Sequence, residues 1–173
     1  MTTEVSTRHI VVMGVSGCGK STVAEGISEA ASLPFAEADR FHPAANIEKM
    51  TAGIPLEDAD RWPWLGDLSA WMASQAREGQ STVIACSALK RSYRDLLRKG
   101  PPSLDFVHLA GDPDVIRARM SHRKGHFMPT SLLESQLATL EPLGPDESGL
   151  VVDLALPAAE IIERAVRELG LTP

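Results

Sequence analysis

Gly14-Val15-Ser16-Gly17-Cys18-Gly19-Lys20-Ser21 is the stretch on which the rest of the chain turns. It fits G-x-x-x-x-G-K-[ST] at every fixed position. The required context is present too, with a β-branched apolar run before it and a helical pattern after it. Glycines let the backbone curl so that successive N–H groups point at an anion, and the following helix adds its positive N-terminal end. Lys20 is placed to reach the β- and γ-phosphates, and the Ser21 hydroxyl to ligate Mg²⁺. The stretch from Gly14 to Ser21, with Thr22, predicts a site for ATP and Mg²⁺. Cys18 occupies a variable position and reads as a small filler.

Working outward, short apolar runs alternate with helical patterns. The runs are Ile10–Met13, Phe35–Ala38, Thr82–Cys86, Phe106–Leu109 and Leu150–Val152. Most are nearly continuous and β-branched, as suits strands buried on both faces of a parallel sheet. Helical patterns fall at Ser21–Ala31, Leu65–Ala76, from Asp112-Pro113 through Met120, and around Ile161–Leu169. The alternation predicts a three-layer α/β fold with a five-stranded parallel sheet, as one P-loop domain over residues 1–173. Such sheets bind ligands beyond the carboxyl ends of their strands, so functional residues are expected just after each run.

Composition narrows the partners. Of 173 residues, 43% are hydrophobic and 23% charged, and the net charge is −6. A nucleic-acid coat needs net basic surface and is disfavoured. No apolar run approaches the ~18 residues of a membrane span, and the N-terminal residues lack a signal peptide's apolar stretch. Cys18 and Cys86 form neither a CxxC nor a disulfide framework, which suits a reducing cytoplasm.

A P-loop does not say what the nucleotide is for. The run Thr82–Cys86 ends in Ser87-Ala88-Leu89-Lys90 rather than in a Walker B acid, and Asp153 reads as a strand-end residue. The second run ends in Glu37-Ala38-Asp39, expected beside the P-loop with both acids on one side of an extended chain. Asp39 is the candidate for orienting an acceptor hydroxyl and taking its proton late in a loose transition state. Glu37 is the candidate for holding a Mg²⁺-bound water. Past the fourth run, Arg117, Arg119, Arg123 and Lys124 form a basic cluster with no acid between Asp114 and Glu134. Arg119 and Arg123, four apart, are expected to share a helix face and grip the transferring phosphoryl oxygens. Gly125 offers a hinge for a lid at about residues 121–140 that would exclude water.

The segment Ala38–Leu65, containing Asp39, His42-Pro43, Asn46, Lys49-Met50, Gly53, Pro55-Leu56, Asp58, Asp60-Arg61 and Pro63-Trp64-Leu65, resembles the signature of the gluconokinases. Cys86-Ser87-Ala88-Leu89-Lys90 with Tyr93-Arg94-Asp95, and Lys124-Gly125-His126-Phe127, resemble the same family, so that the likeness covers roughly residues 9–169. The resemblance implies a nucleoside-monophosphate-kinase-like fold, ATP-dependent phosphorylation of D-gluconate at its 6-hydroxyl and commonly a homodimer. One departure is Glu37-Ala38-Asp39, where the family has Asp-Gly-Asp. Ala38 gives up the φ > 0 freedom of glycine, and Glu37 moves its carboxylate by about one C–C bond.

Gluconate carries one carboxylate and five hydroxyls. Residues about 40–65 supply His42, Asn46, Lys49, Asp60 and Arg61 to meet them, and Arg61 could pair with the carboxylate bidentately. Lys90 and Arg91 are further candidate cations. Trp62, Trp64 and Trp71 read as packing residues. A kinase for another small acid or a nucleotide, and a nucleotide-binding switch without an acceptor, stay open as alternatives.

Overall fold

The computed structural model describes residues 6–121 and 130–171, with side chains described over 6–119 and 133–171. Five strands form one sheet: β1 (His9–Met13), β2 (Phe35–Glu37), β3 (Thr82–Ala85), β4 (Asp105–Ala110) and β5 (Gly149–Asp153). Their order is β2-β3-β1-β4-β5 and every pairing is parallel. The central strand β1 is buried throughout, which explains its unbroken Ile10-Val11-Val12-Met13 run.

Seven helices lie among the described residues. They are α1 (Lys20–Ala31), α2 (Ala44–Thr51), α3 (Asp58–Arg77), α4 (Arg91–Arg98), α5 (Pro113–Ser121), α6 (Thr130–Thr139) and α7 (Ala158–Glu168). Right-handed crossovers sort them into two layers. The chain runs from β1 outward to β2 through α1, then back across the sheet through α3 and α4. That reversal puts α1 on one face, where it packs on α7, and α3 on the other, where it packs on α4.

One boundary differs from the sequence reading. The third helix starts at Asp58 rather than near Leu65, because Glu57 and Asp60 form a reciprocal capping box that outweighs Pro63 in the second turn. β3 pairs with both β1 and β2 and stands between them, and the end of β2 still comes to the P-loop, with Glu37 and Asp39 beside Gly17 and Lys20. The loop after β1 still meets the loop after β3, where Gly14 N donates to Ser87 O at 3.2 Å.

Candidate active site

The carboxyl ends of β1, β2 and β3 open into one cleft. Residues 14–19 turn from β1 into α1 with Gly14, Gly17 and Gly19 all at positive φ. Gly14 sits at φ 146°, and a Cβ there would stand 2.7 Å from Cys18 Sγ, so this position requires glycine. Ser16, Gly17, Gly19, Lys20, Ser21 and Thr22 line the cleft, while Val15 and Cys18 are buried beneath it. Lys20 Nζ lies across the loop and donates to Val15 O at 3.0 Å. Behind Ser16, Gln136 of α6 accepts from the Ser16 backbone N–H at 2.8 Å, tying α6, which falls within the stretch expected as a lid, to the phosphate loop.

Glu37 and Asp39 line the same cleft. The chain does not stay extended between them, since Ala38–Phe41 turn into a short 3-10 helix. Ala38 is buried and is not among the residues at positive φ, so the conformational freedom lost with glycine is not needed here. Its carbonyl accepts from the indole N–H of Trp64 at 2.8 Å, which fixes the turn that presents Asp39. Trp64 also stacks on His42, with ring centroids 4.0 Å apart at 18°. Trp64 is thus a buried packing residue that touches the cleft, while Trp71 packs edge-on against Phe41.

His42 is buried, and burial lowers its pKa, an effect to which Asp39 and Arg61 contribute in opposite directions. Both charges are therefore close to this imidazole. Asn46 Nδ2 donates to Asp60 O at 2.9 Å and faces His42 Nδ1 at 3.1 Å. That arrangement assigns the acceptor role to Nδ1 of a neutral ring and puts its proton on Nε2, 3.8 Å from Asp39 Oδ1. Arg61 lines the cleft, with Nη1 donating to the Tyr93 hydroxyl at 2.8 Å and its guanidinium 5.3 Å from the Tyr93 ring centre. Met50, Pro55, Leu56 and Leu89 complete the wall with apolar surface. Cys86 lies at its base, its thiol pushed up to about 12 by burial and thus protonated.

Residues 10–143 match the family described as "AAA domain". A gluconokinase from Gluconobacter oxydans (strain 621H) is 47% identical over 160 residues, covering 92% of this chain and 90% of that one. The chain belongs to the gluconokinase family. Two solved structures extend the likeness to three dimensions. A sugar kinase from Janibacter sp. HTCC2649 gives a TM-score of 0.94 at 61% identity over 97% of each chain. A gluconokinase from Sinorhizobium meliloti 1021 gives 0.85 at 50% identity, over 98% of this chain and 94% of that one. Membership of this P-loop kinase family implies use of ATP.

For a gluconokinase-family chain, several expected contacts fall elsewhere. Arg91 does not line the cleft: it forms a two-pronged pair with Asp146, both bonds at 2.7 Å, on the outside of α4. Lys49 pairs with Asp60 at 2.9 Å and also stands off the cleft. Arg117 pairs with Glu134 and Asp114 on the surface. Arg119, exposed on α5, donates to Leu154 O at 2.9 Å, so that it lies at the end of β5. Asp153 accepts from Ala155 N and turns the chain after β5. Arg123, Lys124, Gly125 and His126 lie outside the described residues, as does the shared helix face expected of Arg119 and Arg123.

The sequence reading missed Tyr93, Gln136 and the pair Arg94–Glu147. Arg94 is fully buried, bonded to Glu147 at 2.8 and 3.0 Å and to Ala88 O at 2.9 Å. It anchors the loop after β3 that floors the cleft. Burial raises the Glu147 pKa, but the bonds from Arg94, Gly144 N and Arg98 outweigh it and hold the carboxyl down to about 2. Tyr93 and Arg94 follow a strand end in a run of polar residues, a signal that a site lies nearby without naming the partners.

Proposed function

We propose that this chain transfers the γ-phosphoryl group of ATP to the 6-hydroxyl of D-gluconate, giving 6-phospho-D-gluconate and ADP. The observation that carries the reading is a single cleft shared by the phosphate loop, two carboxylates at the end of β2 and one arginine of α3. Backbone amides of Gly17 through Ser21 and the N-terminus of α1 hold the phosphates. Lys20 leaves Val15 O to meet the β- and γ-phosphates. Asp39 accepts the hydroxyl proton as the O–P bond forms and the bond to the ADP oxygen breaks. The neutral His42 donates through Nε2 to a substrate oxygen, and Arg61 receives the carboxylate at the far end. Arg119 approaches from α5 by leaving Leu154 O, Arg123 approaches from the lid at about residues 121–140, and residues about 40–65 form the acceptor lobe of one kinase domain.

The donor set fits Mg²⁺, a hard cation that takes one or two carboxylates and retains waters. Ser21 and Glu37 line the cleft together, Ser21 to ligate directly and Glu37 through a bound water. The ion supplies charge neutralisation to the transferring phosphoryl group. No helix among the described residues is long and apolar enough to cross a membrane. The cytoplasmic setting and the homodimer expected from the sequence belong to this reading, and the mass in solution tests the latter.

A coupled ADP-release assay over gluconate, related sugar acids, shikimate, nucleoside monophosphates and no acceptor tests the reaction. ADP release that depends on gluconate supports the reading. Release indifferent to every acceptor points to a nucleotide switch, and release with only shikimate or a nucleotide moves the chain to another acceptor class.

A further inference from the structure

Arg61 stands beside two aspartates, and each of them takes its hydrogen bonds from other residues, with only a long 4.0 Å ion pair between Arg61 and Asp58. Asp60 accepts from Lys49 Nζ and from the Glu57 backbone N–H, both at 2.9 Å. Asp58 accepts from Lys90 Nζ at 3.1 and 3.2 Å and from the Tyr93 hydroxyl. The nearest Arg61 nitrogen is 4.0 Å from Asp58, and its hydrogen bond goes to the uncharged Tyr93 oxygen. The four charges of Asp58, Lys90, Asp60 and Lys49 therefore cancel in two pairs. Arg61 is left only weakly paired, and of these five residues it alone lines the cleft. The bond from Tyr93 and that from Lys90 hold the Asp58 carboxyl below its ordinary range, as Lys49 does for Asp60, so that both aspartates are ionised at neutral pH.

We propose that Lys90 acts as a charge-balancing positioning residue. By occupying Asp58 it keeps the Arg61 guanidinium from pairing closely with that carboxylate and leaves it open to the cleft, and this makes the acceptor site select an acid over a neutral polyol. The inference rests on the transfer reaction proposed above and names what sets its acceptor class. Without Lys90, the Asp58 carboxylate is one short side-chain rotation from Arg61. The two would pair, and an incoming carboxylate would meet a neutral site with an acid beside it. Tyr93 supports the arrangement from the middle, accepting from Arg61 while donating to Asp58.

The test is kinetic and uses the full chain. Lys90 stands at the N-terminal boundary of α4 and Asp58 in the first turn of α3, so substitution at either leaves the core untouched. Lys90→Met is expected to raise KM for gluconate by roughly tenfold or more, with kcat and KM for ATP within about threefold of wild type. Asp58→Asn in the same chain should return KM to within about threefold, because removing the acid restores the lone charge on Arg61. A purely structural role for Lys90 would not be rescued in this way. Turnover of D-glucitol, the neutral polyol, should not fall in Lys90→Met. Unfolding temperatures of the variants, and Lys90→Gln as a milder second change, guard against misfolding. An unaltered KM in folded Lys90→Met, or a double variant no better than the single one, overturns the proposal. Absence of gluconate turnover in the wild type would instead defeat the transfer reaction itself.

Discussion

The phosphate end of the cleft and its acceptor end hold charge by different means. At the phosphate end the donors are main-chain amides and a helix terminus, placed by glycines within eight consecutive residues. At the acceptor end the proposed donors are the side chains of His42, before α2, and Arg61 of α3, and Arg61 reaches Tyr93 of α4 across a sequence separation of 32. The first design depends on backbone shape and tolerates little. The second depends on a balance of ion pairs, and the balance rather than any one pair decides which charge faces the substrate. The difference teaches where to expect an all-or-none effect and where a graded one.

The largest expected effect lies at the phosphate end. Lys20→Ala should reduce kcat by about 10³-fold or more while the unfolding temperature stays near wild type, since among the described residues Lys20 bonds only a loop carbonyl. Normal turnover would remove the phosphate assignment.

Next comes the scaffold beneath the acceptor end. Arg94→Met leaves the Glu147 charge buried with fewer partners and should cost about 3–5 kcal/mol in chemical denaturation. The same pair predicts a pH dependence. Glu147 is held at about 2 in the folded chain against 4.5 ordinarily, so its contribution is complete above about pH 4.5 and is lost as pH falls toward 2. A stability curve flat across that window would show that the pair contributes nothing.

The smallest effect belongs to the acceptor wall itself. Arg61→Met should raise KM for gluconate by about 10–100-fold with a smaller change in kcat, and Arg61→Lys should recover only part, because an ammonium cannot bind a carboxylate bidentately. A fall in kcat alone would move Arg61 from the acceptor to the phosphoryl group.

The same difference explains what the sequence made legible. The P-loop is contiguous, so Gly14–Ser21 predicts its own structure, and the strand runs are long enough to give all five strands. Glu37 and Asp39 were readable because a strand end confines where they go. The start of α3 was not, because Pro63 masks a helix whose capping box uses two acids, Glu57 and Asp60, rather than a hydroxyl residue. The carboxylates that Arg91 and Lys49 pair with are not legible, because a cation in a motif carries no mark of its partner. Asp146 lies 55 residues from Arg91, and only the fold brings them together. The roles of Gln136 and Tyr93 are hidden for the same reason: each acts through a contact with a residue distant in the chain, Ser16 and Arg61 respectively.

In the proposed reaction Asp39 steers an alcohol toward ATP held by the phosphate loop. Asp39→Asn tests it most directly, with the Kd for ATP and kcat for gluconate measured on the same preparation. The account predicts an ATP Kd within about threefold of wild type and a kcat lower by about 10²-fold or more. An unchanged kcat would contradict it.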